Sequence, residues 1–266
     1  MSVFRTLRDD EIMGDSETTM VEQLVTANRI LANEGIFDAF GHISVRSKRN
    51  PNEFLLSCAR PPLTVSARDI TRYRLDGTPV TKGKVRSYVE LIIHAAILEA
   101  RPDVQSVCHT HSDSVLPFAC SGKKIHPVIH PGTFLWKGVG WFEKYDKGGN
   151  LLVSTPSEGK ALAGALGPLR AAVMRNHGCV VVGGSIPATV MAAIYFDKNA
   201  RIQMESMRIG KPKYIERGEA KRAAAVFELP VSETRAWEFW VTRLPQGWHL
   251  QAGVSESAVA SAKTRQ

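Results

Sequence analysis

Apolar positions along this chain switch repeatedly between helical and strand spacing, and the switches divide it into alternating elements. MVEQLVTANRILANEG (20–35) carries apolar residues at helical intervals and stops at Gly35, which predicts a helix with a glycine terminus. HISVRS and EFLLSC predict two strands joined by the polar turn KRNPN. ARDI predicts a short helical turn, and YRLDGTPV a strand with an Asp76–Gly77 turn. A helix over 88–100, a strand over 104–111 and a helix over 113–120 follow. A strand region over 151–154, a helical PSEGKALAGALG, a strand over 171–182 and a helix over 186–207 complete the expected core.

The first 18 residues and 254–266 are polar or small, which predicts flexible arms, able to reach a neighbouring subunit, around a single domain over 19–253. At 266 residues, with 44% hydrophobic and 23% charged, one large core is expected. No apolar run reaches the roughly 18–20 residues of a membrane span, and the start lacks the apolar block of a signal peptide, so a cytoplasmic protein is expected. Cys58, Cys108, Cys120 and Cys179 form no CxxC pair, as expected of reduced thiols. The net charge of +8 is dispersed and no nucleic-acid motif accompanies it, so nucleic acid is not an expected partner and anionic small molecules are. Phosphate-binding glycine loops are absent as well.

Candidate chemistry concentrates in two segments. In an extended strand, His109 and His111 of VCHTHS project from one face about 6–7 Å apart, suited to clamp one cation. Glu90 precedes them in RSYVELIIHAAILEA. His177, in the apolar run AAVMRNHGCVVVGG, could close a three-histidine set that leaves open metal positions. Each has a blander alternative: a satisfied core histidine for His177, an accidental HxH for the pair, a helix-start carboxylate for Glu90. Alternation turns Cys108 away from the pair. His94, on the helical face of Glu90, reads as structural.

Taken together, Glu90, the HTH strand, GHISVR (41–46), ARPDV (100–104) and RNHGCVVVG (175–183) resemble the class II aldolase/adducin family in their order, over roughly 20–207. The resemblance implies an α/β fold like the adducin head, with a central, mainly antiparallel β-sheet flanked by helices on both sides, and a homotetramer. It also implies one divalent metal ion per chain (Zn, Mn, Fe or Co) on His109, His111 and His177, with Glu90 exchanging protons.

Sugar-phosphate members of that family place small hydroxyl residues before the glutamate, an Asn in Gly-Asn-x-Ser and a Thr-Gly pair around the phosphate. Here Tyr88 and Val89, His42 in GHIS, and SCARPP (57–62) stand there. Arg60 is the candidate for gripping a carboxylate instead. The pattern is similar to the branch that decarboxylates hydroxylated aromatic or pyridine (di)carboxylic acids in catabolism. His42 and His130 are candidate substrate contacts, and Phe134, Trp136, Trp141 and Phe142 candidates for a flat aromatic lining. Two alternatives remain open at this point. One is a retro-aldolase acting on a non-phosphorylated hydroxy-keto acid or sugar, with Tyr195 or Tyr214 as proton donor, possible across a subunit boundary. The other is a metal-free binding module.

Overall fold

The computed structural model describes residues 17–80, 86–146 and 148–245. The expected arms over 1–18 and 254–266 lie outside these residues, except that Glu17 and Thr18 open the first helix. Seven strands form one sheet: β1 (His42–Arg46), β2 (Glu53–Ser57), β3 (Ile70–Arg74), β4 (Ser106–Thr110), β5 (Gly140–Phe142), β6 (Ala171–Met174) and β7 (Gly178–Gly183). Their order is β3-β2-β1-β4-β7-β6-β5. Every neighbouring pair is antiparallel except β5 and β6, which run parallel. A parallel pair needs a crossover, and α4 (Pro156–Leu166) supplies it.

Strand alternation sorts the buried residues onto two faces. Ile43, Val45, Leu55, Cys108, Val173 and Val181 pack on one face beneath α1 (Glu17–Asn33), α5 (Ile186–Ile209) and α7 (Pro230–Thr242). Phe54, Leu56, Val107, Ala172, Val180 and Val182 occupy the other, covered by α2 (Leu91–Ala100) and α4. Helices on both sides leave all five residues of β1 and of β4 buried. The short α3 (Leu116–Ser121) and α6 (Arg217–Phe227) complete the helices among the described residues. None of these helices is long and apolar enough to cross a membrane.

Two readings shift in place, the strand expected over 73–80 lying at Ile70–Arg74 and the helix expected over 113–120 at Leu116–Ser121, and three change around the candidate site. The strand over 171–182 is a hairpin, because Asn176 takes a left-handed φ of 55° and Met174 faces Gly178 across a tight loop. Residues 151–154 form a loop rather than a strand: Leu151 sits at φ 66°, and the Val153 N–H is used by a side chain instead of a ladder. The helix expected from 88 starts at Leu91, with Glu90 at its N-terminal boundary. Beyond these, β5, α6 and α7 are additions to the expected elements.

Candidate metal centre

One end of the sheet, on the α2/α4 face, gathers the chemistry. Antiparallel register sets His42 of β1 directly beside His109 of β4. His111 lies just past the end of β4, and the β6–β7 hairpin loop carries His177 over it. Their rings stack with centroids 5.2 Å apart. Gly178 permits this approach: a Cβ there would collide with the Thr110 carbonyl and meet the His111 ring at 3.0 Å. Glu90 caps α2 without a capping hydrogen bond. Its Oε2 turns instead to the histidines, 3.4 Å from His109 Nε2 and 3.4 Å from His177 Nε2, while Oε1 accepts from Val153 N at 3.1 Å. One donor atom from each of Glu90, His109, His111 and His177 lies within 4.8 Å of the others.

The hydrogen bonds behind the imidazoles test whether a cation fits. His109 Nδ1 lies 3.1 Å from the Cys179 carbonyl oxygen, which can only accept, so Nδ1 carries the proton. His111 Nδ1 lies 3.2 Å from an Asp38 carboxylate oxygen and is protonated by the same reasoning. Both Nε2 atoms then present lone pairs to each other at 3.2 Å, a repulsive arrangement that a cation between them relieves. His177 Nδ1 is buried without a partner among the described residues. The donor set therefore fits a divalent ion held through Nε2 atoms.

Burial, the largest influence on Glu90, pushes its carboxyl upward. Charge and donation from doubly protonated His109, and then from His177, outweigh it and hold Glu90 well below the usual carboxylate range; an ion on their Nε2 atoms would take those donors away and free Glu90 to exchange protons. Behind the cluster runs a buried polar chain: His42 Nδ1 sits 2.7 Å from His94 Nε2, and His94 Nδ1 sits 2.6 Å from Ser44 Oγ. Burial, followed by the charge of His109, pushes His94 down to about 3, and burial followed by His94 lowers His42 strongly, so both rings are neutral at physiological pH.

A cavity of about 670 Å3 opens over Glu90, His111 and His177. His42, Tyr88, Ser87 and Arg86 line one side, and Phe40, Val89, Leu151 and Leu152 supply apolar surface. Tyr88 closes the wall by placing its hydroxyl 3.0 Å from Ser57 Oγ and donating it to the Arg60 carbonyl at 2.9 Å.

Of the residues singled out from sequence, Glu90, His109, His111 and His177 converge, and His42 joins them at the cavity. Arg60 stays outside the lining, its guanidinium 3.6 Å from Asp69. His130 packs near Phe227 and Tyr214 near His126, both away from the cavity within this chain. Phe134 and Phe142 are core residues, and neither they, Trp136 nor Trp141 lines the cavity, whose aromatic surface comes from Phe40 and Tyr88. Sequence reasoning missed Asp38 and Arg86. Asp38 had a local signal, since its Oδ1 accepts from the N–H groups of Phe40 and Gly41 at 2.8 and 3.1 Å, the Asx turn that DAFG favours.

Comparison with known proteins places this geometry. Residues 22–204 match the class II aldolase and adducin N-terminal domain. The chain is 31% identical over 254 residues to decarboxylase tropJ of Talaromyces stipitatus, covering 85% of this chain and 94% of that protein. It is 30% identical over 202 residues to the 3,4-dihydroxyphthalate decarboxylase of Arthrobacter keyseri, covering 71% and 79%. Among solved structures, an L-fuculose 1-phosphate aldolase from Glaciozyma antarctica superposes with a TM-score of 0.71 at 25% identity, covering 84% of this chain and 87% of that one.

Proposed function

This chain belongs to the class II aldolase and adducin N-terminal domain family and is an enzyme, a lyase of that family; from that premise we propose that it is a divalent-metal-dependent decarboxylase of a hydroxylated aromatic or pyridine carboxylic acid. The observation that carries the reading is the convergence of His109, His111 and His177 on one point beside Glu90, open to a cavity of small-molecule size. An ion held by these three imidazoles, with Zn, Mn, Fe and Co all suited to such donors, would supply Lewis acidity toward substrate oxygens.

The chain's own residues do the rest. Glu90 accepts the proton of the ring hydroxyl and returns it to the ring carbon that bears the departing carboxylate. The carbon–carbon bond then breaks and its electron pair restores the aromatic ring as a phenolate. CO2 leaves, and water protonates the phenolate. His42, held by His94, which Ser44 anchors in turn, orients the ring from the side. Exposed Phe40 and Val89 at the cavity rim favour cover by a neighbouring subunit, in keeping with a homotetramer. His130 and Tyr214 contribute to a site only across such a boundary.

Metal content measured together with CO2 release from hydroxybenzoic, hydroxyphthalic and hydroxypyridine carboxylic acids tests the proposal. About one metal per chain with CO2 release supports it. Metal with aldehyde release from hydroxy-keto acids or sugars, and no CO2, replaces it with retro-aldol cleavage, the chemistry named for the Glaciozyma neighbour.

A further inference from the structure

Resting on the decarboxylase reading, we propose that Arg86 is the specificity residue of the site and that it grips a second carboxylate, one that the substrate keeps. The substrate class is then a hydroxylated aromatic dicarboxylic acid.

Arg86 is the only arginine or lysine among the described residues lining the cavity. The other arginines nearby have assigned work: Arg60 faces Asp69, and Arg175, next to Asn176 and His177 of the cavity, stacks over the Tyr145 ring. Arg86 has no side-chain hydrogen bond or ion pair among the described residues. Its backbone is nonetheless fixed, because its carbonyl accepts from Ala59 N at 2.7 Å and the next residue, Ser87, meets the Tyr73 hydroxyl at 3.1 Å. An anchored arginine that lines a small-molecule cavity and has no side-chain partner among the described residues is prepared for an anionic ligand group, and its planar fork matches a carboxylate.

The chemistry then decides which carboxylate it holds. The departing group becomes neutral CO2, so a bidentate ion pair to it would stabilise the ground state and be lost in the transition state, raising the barrier. A retained carboxylate keeps its charge throughout, and binding it costs nothing at the chemical step. The departing carboxylate is better matched to the apolar side of the cavity, at Val89 and Leu151. Arg86 stands four residues before Glu90, so their Cα atoms are at most about 14 Å apart. One aromatic diacid can therefore reach both.

The test uses the full chain loaded with Mn2+. KM and kcat for CO2 release are measured with a dihydroxyphthalate and with the dihydroxybenzoate that lacks its retained carboxylate. Binding of unreactive phthalate and benzoate is followed by calorimetry. Arg86→Ala is expected to raise KM for the diacid about ten- to a hundredfold, and the selectivity over the monoacid falls with it. Arg86→Lys should recover part of the loss, as charge without the fork. Metal content stays at the wild-type level. Equal shifts for both acids, or none, overturn the assignment. Absence of CO2 release by the wild type from either acid would sink the decarboxylase reading alone. Arg86 is then judged by calorimetry: a preference for phthalate over benzoate that Arg86→Ala abolishes upholds it, and equal binding in both proteins overturns it.

Discussion

The two faces of the central sheet are cut from the same strands and do different work. Ile43 and Cys108 are a cross-strand pair sealed under α1 and α5; one residue along each strand, His42 and His109 form the next pair and belong to the candidate metal centre. Alternation lets one strand serve both, because successive side chains leave on opposite sides. The α1/α5 face is filled by apolar side chains such as Leu24, Ile30, Val190 and Phe196. The α2/α4 face begins the same way, with Phe54, Ile97 and Val182, and gathers its histidines and Glu90 at the end where β4 and the β6–β7 hairpin terminate. Function here occupies the place where one layer of the core runs out, so damage to chemistry and damage to folding should be separable.

The largest effect should come from His111→Ala, which removes one Nε2 donor. Loss of metal and a fall in turnover of about a thousandfold or more are expected, the worth of several kcal/mol of Lewis-acid stabilisation. On metal-free protein the unfolding free energy should move by less than about 1 kcal/mol, since the same change ends the lone-pair conflict with His109. Metal analysis and denaturant unfolding check both halves. Phe196→Ala is the mirror image. It empties a fully buried position under the opposite face and should cost about 3–5 kcal/mol while leaving one metal per chain in the folded fraction. Metal lost from folded Phe196→Ala would break the division between the faces. Asp38→Asn sharpens it from outside the cluster. The carboxylate that orients His111 Nδ1 becomes neutral, and competition with a chelator should record metal affinity weaker by about 10- to 100-fold with the fold intact.

Much of this was legible in the sequence, for identifiable reasons. The helices covering the sheet carry long periodic patterns, and HTH encodes its own geometry because a strand has only one way to present alternate residues. Glu90 and His177 became visible as partners through the family resemblance, since contacts 19 and 68 residues from His109 leave no local trace. Where reading failed, one residue outweighed the average. Asn176 entering the left-handed region folds one apolar run into a hairpin and moves His177 from a strand to a loop. Leu151 does the same at 151–154. Arg60 and Arg86 look equivalent on paper, and only the acidic neighbour Asp69 separates a paired cation from one without an ion pair among the described residues.

Glu158 yields the subtlest effect, because it belongs to the fold yet holds part of the cavity in place. Its carboxylate accepts from the N–H groups of Asp146, Ser154 and Thr155 at 3.1, 2.9 and 3.0 Å. These bonds fasten the loop that bears left-handed Leu151 and whose Val153 donates to Glu90. Burial raises the Glu158 carboxyl, but the bonds from Ser154, Asp146 and Thr155 outweigh it, so its pKa in the folded protein lies below the ordinary 4.5. The contribution to stability is therefore complete above 4.5 and is lost as pH falls through the lowered folded value. Glu158→Gln replaces one acceptor oxygen with a donor facing backbone N–H groups. It should cost about 1.5–3 kcal/mol at pH 7, with the gap to wild type narrowing in acid. If instead that gap is independent of pH, the carboxylate's charge is not what holds the loop. If kcat falls while stability at pH 7 is unchanged, the loop belongs to the chemistry more than to the core, and the line between the two regions has to be redrawn through it.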